Sequence, residues 1–187
     1  MERDLHYSAI VVGRKGVGKS TFLAKTASQY PTESKVLIID VNGSPAYNSF
    51  KTIEPNQVKL FRRGHAKLLG TPTDETLEII AKDFNGGLIV FEDATKYISG
   101  NVRPSIKAFL VDHRMYQCDL IFAFHSLKRV PPFFWEMISF CTLFKTAEVF
   151  DKTFKNRIPN YENIKKAYDK VAASKDIRYN LTIETLV

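Results

Sequence analysis

The segment at residues 13–20, GRKGVGKS, constrains the chain more than any other part of the sequence. Three of its eight residues are glycines, and it stands between an apolar run at 7–12 and a helical pattern at 20–30. A glycine-rich loop between a strand and a helix lets successive backbone N–H groups curve around a phosphate, and the helix N-terminus favours negative charge. Because the segment matches GxxxxGK[ST] throughout, it predicts a P-loop after the first strand of an α/β domain.

The loop residues have expected roles toward a nucleoside triphosphate. Lys19 is expected to reach the β and γ phosphates, and the Ser20 hydroxyl is expected to bind Mg²⁺. The expected ligands are therefore ATP and Mg²⁺. The predicted nucleotide-binding residues are the loop and the residue after it, namely Gly13, Arg14, Lys15, Gly16, Val17, Gly18, Lys19, Ser20 and Thr21.

Apolar runs alternate with helical patterns along the chain. Residues 36–41, 88–91 and 119–124 are apolar on both faces, which is typical of strands buried between two layers of helices. Between them, residues 73–84 and 104–117 carry helical patterns. The alternation predicts a RecA-like P-loop NTPase fold of the α/β class, with a mostly parallel central sheet flanked by helices on both faces.

Three shorter patterns complete this order of elements. Residues 57–61 alternate between apolar and polar side chains, which predicts a short strand. A proline followed by aromatic residues predicts a short helix at 131–138. The residues at 142–145 predict one more strand.

The last part of the chain differs in character from the rest. Residues 161–173 form a polar, lysine-rich helical pattern, and residues 178–186 alternate as an edge strand does. Since no linker or repeat interrupts the sequence, we expect one domain over residues 1–187. Its core should cover about 5–146, and 147–187 should form a C-terminal appendage.

Composition narrows the class of protein. Cys118 and Cys141 form no CxxC pair, so neither a zinc site nor a disulfide framework is indicated. The net charge of +7 is compatible with a nucleic-acid partner and equally with solubility alone. Charged residues stand where a signal peptide needs its apolar stretch, and no apolar run approaches the ~18 residues of a membrane span. We therefore expect a cytoplasmic protein.

A pair of carboxylates follows the apolar run at 88–91. Glu92 and Asp93 would lie at the carboxyl end of a central strand, where ligands of open α/β sheets bind. One acid is expected to complete the Mg²⁺ shell with Ser20, and the other to polarise an attacking water. By position Glu92 takes the metal role and Asp93 the catalytic one. The usual order in ATPases is Asp then Glu, so the division of roles stays open.

A second acid, Asp40, also ends an apolar strand, and residues 40–43 fit the DxxG motif of GTPases. A GTPase would also carry an NKxD motif, which reads guanine, after a later strand. The corresponding residues 122–128 read FAFHSLK and lack that motif. The sequence thus disfavours a GTP switch.

Two further polar residues are candidates for the same site. His125 stands at the tip of the strand at 119–124, where it could contact the γ phosphate, although a histidine at a strand end is often a surface residue. Arg114 precedes that strand and could reach a phosphate bound by a neighbouring subunit. Arg103 is open to the same interpretation, but an arginine near a helix end is usually a solvated cation.

Taken in order, the motifs GRKGVGKST, VLIIDVNGSPAY, LIVFEDA and HRMYQCDLIFAFHSLKRVPP resemble the FtsK/HerA superfamily of DNA-pumping ATPases. Within it they are most similar to the small genome-packaging ATPases of membrane-containing bacterial and archaeal viruses. In that family the strand after the P-loop helix ends in Asp, followed by Gly and often Tyr, as Asp40, Gly43 and Tyr47 do here. Arg114 matches the family's arginine, whereas His125 stands where the family has glutamine.

The resemblance spans roughly residues 7–145 and implies an ATP-hydrolysing DNA translocase that packages a viral genome into a capsid. It further implies a homo-oligomeric ring, usually a hexamer or pentamer, with ATP bound between subunits and double-stranded DNA as a partner. A capsid vertex would be a further partner, and the protein would be found in the host cytoplasm or with the virion. The catalytic set implied is Lys19, Glu92, Asp93, Arg114 and His125.

No motif marks the residues that would contact DNA. A basic cluster in an expected loop, and a second one at residues 128–129, could line a pore and contact phosphates, or could simply be solvated. The first cluster consists of Lys59, Arg62, Arg63, His65 and Lys67.

Other interpretations of the P-loop remain open. A Zot-like or filamentous-phage assembly ATPase shares the motif set but usually carries a membrane span. A ParA-like partition ATPase would have a lysine where Arg14 stands, whereas here the lysine is the next residue, Lys15. A regulatory module that binds a nucleotide without turnover is a third alternative, and a small-molecule kinase would need an arginine-rich lid.

Overall fold

The computed structural model describes residues 6–98 and 103–185, and in this part of the chain eight strands form one sheet. In chain order the strands are β1 (Ser8–Val12), β2 (Lys35–Asp40), β3 (Lys51–Thr52), β4 (Gly64–Leu69), β5 (Gly87–Phe91), β6 (Cys118–Phe124), β7 (Phe140–Leu143) and β8 (Leu181–Glu184). The α-helices are α1 (Lys19–Ser28), α2 (Asp74–Asp83), α3 (Pro104–Val111), α4 (Pro132–Met137) and α5 (Tyr161–Ala173).

The sheet has the order β3-β4-β2-β5-β6-β1-β7-β8. The strands pair in parallel except β8, which runs antiparallel to β7. Because parallel strands end at the same edge, the loops after β1, β2, β5 and β6 meet there. The predicted mostly parallel α/β sheet is confirmed.

Helices cover both faces of this sheet, as predicted. Along β1, Ile10 belongs to a core cluster that also contains buried residues of α2, α3, α4 and α5. The neighbouring Val11 points to the other face, where it packs in a second cluster with Leu23 and Ala27 of α1. Since alternate residues of a strand point to opposite faces, burial on both sides explains why the central strands are apolar at every position.

The expected strand at 57–61 is wrong. Pro55–Leu60 is a 3-10 helix, which begins at a proline and is held by a hydrogen bond of 2.8 Å from the Glu54 N–H to the Gln57 side chain. The strand lies further on, at β4, which pairs along its length with β2. Local alternation misled the prediction because a proline and a capping glutamine favoured the turn of helix.

Helix α3 is shorter than the predicted 104–117 and ends at Val111. The following residues form turns, in which His113 Nδ1 lies 2.7 Å from the carbonyl oxygen of Cys118. Gln117 has a left-handed φ of 54°, which no α-helix accommodates. These turns redirect the chain into β6.

The C-terminal segment packs on the edge of the sheet. Helix α5 has the predicted bounds, and Ile164 and Val171 on its buried face contribute to the core. The edge strand β8 is shorter than predicted, and Leu186 lies outside the described residues. None of the helices in the described ranges is long and apolar enough to cross a bilayer. The division into core and appendage stays a prediction.

Candidate nucleotide-binding site

The P-loop is anchored at its start by the two strands beside β1. The Gly13 N–H donates to the Phe124 carbonyl at the end of β6, at 3.1 Å, and the Arg14 N–H donates to the Lys145 carbonyl after β7, at 2.8 Å. A Cβ on Gly13 would lie 2.5 Å from Cβ of Phe144, so only glycine allows this close approach. The loop therefore starts from a fixed position at the carboxyl edge of the sheet.

Two later glycines shape the loop itself. Gly16 and Gly18 have φ angles of 84° and 94°, in the left-handed region that side chains disfavour. Gly18 is the residue before α1, so the turn delivers the chain directly into the helix. The first N–H groups of a helix have no intrahelical partner, and here they face the cavity that the loop borders.

This cavity has a volume of about 830 Å³ and opens at the carboxyl edge. Six of the nine predicted nucleotide-binding residues line it, namely Lys15, Gly16, Gly18, Lys19, Ser20 and Thr21. The other three, Gly13, Arg14 and Val17, lie outside the lining. Val17 is fully buried, and the N–H groups of the first two are engaged by Phe124 and Lys145 as described above.

Lys19 holds the loop in place and points toward the acidic side of the cavity. Its Nζ donates to the carbonyl oxygens of Gly13 at 2.6 Å and Arg14 at 3.0 Å, and lies 3.4 Å from His125 Nδ1. Burial lowers the pKa of Lys19, while the charges of Glu92 and Asp93 oppose that shift. The amine thus lies between the P-loop and both carboxylates, where a phosphate could replace the carbonyl contacts.

Asp93 is held from two sides. Its Oδ1 lies 2.8 Å from His125 Nε2 and its Oδ2 lies 2.8 Å from Lys96 Nζ. Asn42 completes the group, because its Nδ2 is 3.4 Å from Asp93 Oδ2 and its Oδ1 accepts from Lys96 at 2.9 Å. Burial alone would raise the pKa of Asp93, but the Lys96 hydrogen bond and the His125 interaction outweigh it and lower that pKa. The backbone of Asp93 is left-handed, at φ 49°. Such strain is concentrated at functional sites.

Glu92 lies deeper, beside the P-loop. Its side chain lines the cavity together with Ser20, and its own carbonyl accepts a 2.8 Å hydrogen bond from the Tyr97 hydroxyl. Burial raises the pKa of Glu92, and the charge of Asp40 adds to this, whereas the Ser20 and Tyr47 hydroxyls and Lys19 oppose it. Keeping this carboxylate ionised in a buried place requires nearby positive charge.

The oxygens of Ser20 and Glu92 fit a magnesium ion. Both are hard donors, and Mg²⁺ is usually bound through one or two protein groups while phosphate oxygens and waters supply its remaining ligands. No cluster of three or more acidic, histidine or cysteine side chains within 6–98 and 103–185 forms a ready-made cation cage. Ser20 and Glu92 would thus supply two oxygens to the cation, and its other ligands would come from phosphate and water.

Asp40 is the last residue of β2, and its side chain holds the turn that follows this strand. It is fully buried, its Oδ1 accepts from the Ser44 N–H at 2.9 Å, and its Oδ2 lies 3.7 Å from Lys67 Nζ. These contacts fix the turn that brings Asn42 and Gly43 to the cavity wall. Asp40 thereby positions the loop after β2.

The predicted basic cluster is not one surface loop. Lys67 is buried in β4 against Asp40, and His65 of the same strand lies 3.3 Å from the Tyr30 carbonyl oxygen. Lys59 lies in the 3-10 helix, and Arg62 and Arg63 are exposed just before β4. The strand pairing of β4 with β2 separates these residues, so the cluster as predicted is wrong.

The structure places the two candidate arginines away from this cavity. Arg114 is exposed in the turns before β6, at the amino end of that seven-residue strand, about 20 Å from the edge where the P-loop lies. It therefore cannot reach a nucleotide on its own subunit. Arg103 is engaged by α2, with ion pairs of 2.9–3.2 Å to Asp74, Glu75 and Glu78.

The cavity also contains a residue that sequence reasoning missed. Arg178, from the segment between α5 and β8, lines the wall beside Gly18. No motif marks it, because it enters the site through the pairing of β8 with β7. Lys96 was missed too, although its place three residues after Asp93 on a turn could have suggested an ion pair.

Solved structures resemble this chain over almost its whole length. The genome packaging NTPase B204 from Sulfolobus turreted icosahedral virus 2, in complex with ATP-gammaS, matches with a TM-score of 0.71 and 16% identity, covering 98% of this chain and 94% of B204. Its complex with AMP gives the same TM-score and identity, with 96% and 93% covered.

A more distant match is the N-terminal domain of zonular occludens toxin from Neisseria meningitidis, with a TM-score of 0.50, 15% identity, and 76% and 78% of the two chains covered. No protein-family model matches the sequence, and neither does any curated protein. These structural matches show that the chain has the RecA-like P-loop NTPase fold that the sequence predicted, which B204 shares.

Proposed function

We propose that this protein is an ATP-hydrolysing DNA translocase that packages a viral genome. The observation that carries the proposal is the cavity in which the P-loop, Glu92 and the Asp93–His125 pair meet. A P-loop by itself indicates nucleotide binding, whereas carboxylates beside the phosphate site supply groups for hydrolysis. The full-length likeness to B204, a genome packaging NTPase that binds ATP-gammaS and AMP, supports the same function here.

Different residues would bind the phosphates of ATP and the Mg²⁺ ion. The N-terminus of α1 and the Lys19 amine stabilise the phosphate charge, and Ser20 with Glu92 would hold Mg²⁺. When bound, that cation neutralises charge that develops on the phosphate oxygens. On phosphate binding, Lys19 exchanges its carbonyl contacts at Gly13 and Arg14 for phosphate oxygens.

Asp93 is the better candidate for orienting the attacking water. Its lowered pKa keeps it ionised near neutral pH, so it can accept a hydrogen bond from water. Glu92, in contrast, lines the cavity together with Ser20, so these two side chains would hold the cation. His125 contacts both Lys19 and Asp93, which suits a residue that links phosphate binding to the position of the carboxylate.

The proposal includes a ring of identical subunits. Arg114 lies at the opposite edge from the P-loop of its own chain and is exposed, as an arginine that acts on a neighbour's ATP must be. In a ring, ATP would bind between subunits and double-stranded DNA would pass through the centre. The net charge of +7 is compatible with contacts to DNA phosphates.

A phage-assembly ATPase of the Zot type is the second candidate, because the zonular occludens toxin domain shares the fold over 76% of this chain. The packaging function is favoured because the structural match to B204 covers 98% of this chain. That coverage includes the C-terminal segment that reaches the nucleotide cavity. The two candidate functions differ in their response to double-stranded DNA. A packaging motor acts on double-stranded DNA, so only for that function do we expect DNA to raise the rate of ATP hydrolysis.

The test is the rate of ATP hydrolysis, measured with and without double-stranded DNA of several hundred base pairs. We expect turnover that requires Mg²⁺ and rises when DNA is added, and we expect Lys19→Ala to abolish it. Lys25→Ala is a matched control, because Lys25 also lies on α1 but away from the cavity. A clean preparation that hydrolyses no ATP under any DNA condition would refute the motor function. ATP turnover that DNA leaves unchanged would favour the second candidate.

A further inference from the structure

We infer that Arg178 binds the α and β phosphates of a nucleotide held by its own subunit. The inference rests on the proposed nucleotide-binding function and adds to it a cation from the C-terminal segment. Arg178 lines the same cavity as Lys19 and Ser20. Its Cγ and Cδ lie 3.6 and 3.8 Å from the place where a Cβ of Gly18 would be, so its stem runs alongside the last glycine of the P-loop.

The topology explains how a residue so late in the chain reaches this edge. Strand β8 runs antiparallel to β7, and its first residue, Leu181, pairs with Leu143 at the end of β7. The segment before β8 therefore lies at the carboxyl edge, next to the P-loop. A parallel strand in the same place would have put Arg178 at the far edge.

The segment that carries Arg178 is held at several points. Lys145 donates from its Nζ to the Ser174 carbonyl, and its own carbonyl accepts from the Arg14 N–H of the P-loop. The Arg178 N–H donates to Asp176 Oδ1 at 2.8 Å, and Asn180 donates back to the Arg178 carbonyl at 3.1 Å. The backbone at Arg178 is thus fixed relative to the loop.

The guanidinium, in contrast, is left available for an anion. Within residues 6–98 and 103–185, no carboxylate forms an ion pair with Arg178, although Glu92 and Asp93 line the same cavity. Arginine is the side chain best suited to phosphate oxygens, because its planar group donates two parallel hydrogen bonds. An unpaired arginine beside a P-loop glycine therefore indicates a phosphate ligand.

The order of the strands indicates which phosphates it would contact. Asp93 and His125 follow β5 and β6, which lie on one side of β1, whereas Arg178 comes from the other side, beyond β7. Lys19, which is expected to reach the β and γ phosphates, adjoins His125. The γ end of the nucleotide would thus face β5 and β6, and the α and β phosphates would face Arg178.

The test compares the dissociation constants of ADP and of a non-hydrolysable ATP analogue by calorimetric titration. We expect Arg178→Ala to raise both constants by the same factor of about ten, which corresponds to about 1.4 kcal/mol. Arg178→Lys should recover part of the lost affinity, because lysine restores the positive charge without the planar group. Lys175→Ala is the matched control, because it removes an exposed cation of the same segment that does not line the cavity.

Three results would overturn this assignment. One is an unchanged affinity of Arg178→Ala for both nucleotides, and another is weakened binding of the ATP analogue alone, which would indicate a γ-phosphate contact. The third is an equal loss in Lys175→Ala, which would mean that the segment and not the guanidinium matters. The proposed function fails separately, when the unaltered protein binds neither nucleotide or when Lys19→Ala binds both normally.

Discussion

Replacing Asp93 with asparagine tests the proposed division of roles between the two carboxylates. The change keeps the size of the side chain but removes the charge that lies 2.8 Å from His125 Nε2 and 2.8 Å from Lys96 Nζ. An amide accepts hydrogen bonds from water more weakly than an ionised carboxylate does. We expect kcat for ATP hydrolysis to fall by about 10² to 10⁴, the usual contribution of a positioned general base.

The affinity for ATP and the unfolding free energy of Asp93→Asn should change much less than kcat. Lys19 contacts the loop carbonyls and His125 rather than Asp93 directly, so the affinity for ATP should stay within about three-fold of the original. Lys96 and His125 are 46% and 41% exposed, and water can solvate them once the charge is gone. Each lost pair should therefore cost below about 1 kcal/mol of unfolding free energy.

The pH dependence of the unfolding free energy gives an independent check that Asp93 is ionised in the folded protein. Because the folded state lowers the pKa of Asp93, its ionised form stabilises the fold above the unfolded pKa of about 3.9. That contribution is lost as the pH falls through the lowered folded pKa. The difference in unfolding free energy between the original protein and Asp93→Asn should thus be constant above about pH 5 and shrink below about pH 4.

The assay is single-turnover hydrolysis of ATP at saturating enzyme, with nucleotide affinity and chemical denaturation measured on the same preparations. Glu92→Gln serves as the comparison, since it should weaken the Mg²⁺ dependence of binding as well as turnover. Hydrolysis at the original rate in Asp93→Asn would exclude a role for Asp93 in activating the attacking water. When Glu92→Gln alone stops hydrolysis and spares Mg²⁺-dependent binding, the roles of the two acids are reversed.

Three further predictions concern the loop, the ring and the fold. Lys19→Ala should weaken ATP binding at least ten-fold in a filter-binding assay, because it removes the cation that faces the β and γ phosphates. Normal ATP binding by this variant would contradict the assignment of residues 13–20 as the phosphate-binding loop. Arg114→Ala should lose ATPase activity and regain part of it when mixed with Lys19→Ala subunits, and failure in a proven oligomer would count against a role in trans. Gly87→Ala should lower the unfolding free energy by more than about 3 kcal/mol in chemical denaturation, since its Cβ would lie 2.1 Å from the Lys35 carbonyl oxygen. Gly70→Ala is the control, with a similar φ of 91° but open space, and an equal loss in both would refute the steric argument.

Some of this molecule followed from the sequence because the signals were local. The P-loop motif specifies its own backbone, since the left-handed glycines and the helix start are set within a few residues. The central strands were readable because burial on both faces leaves an unbroken apolar run, as at β2 and β5. The carboxylates after β5 were found for the same reason, since a charge that ends such a run lies at the edge of the sheet.

Other features depended on pairings between distant parts of the chain. The strand β4 was missed because its sequence includes a charged residue that is buried only when the strand pairs with β2. This residue, Lys67, is buried beside Asp40. The contact of Asp93 with His125 follows from β5 and β6 being neighbours, which no local pattern shows. Arg178 reaches the P-loop because β8 turns back against β7. A local motif is enough to indicate where a phosphate can bind, whereas the order and direction of the strands set which side chains surround that phosphate.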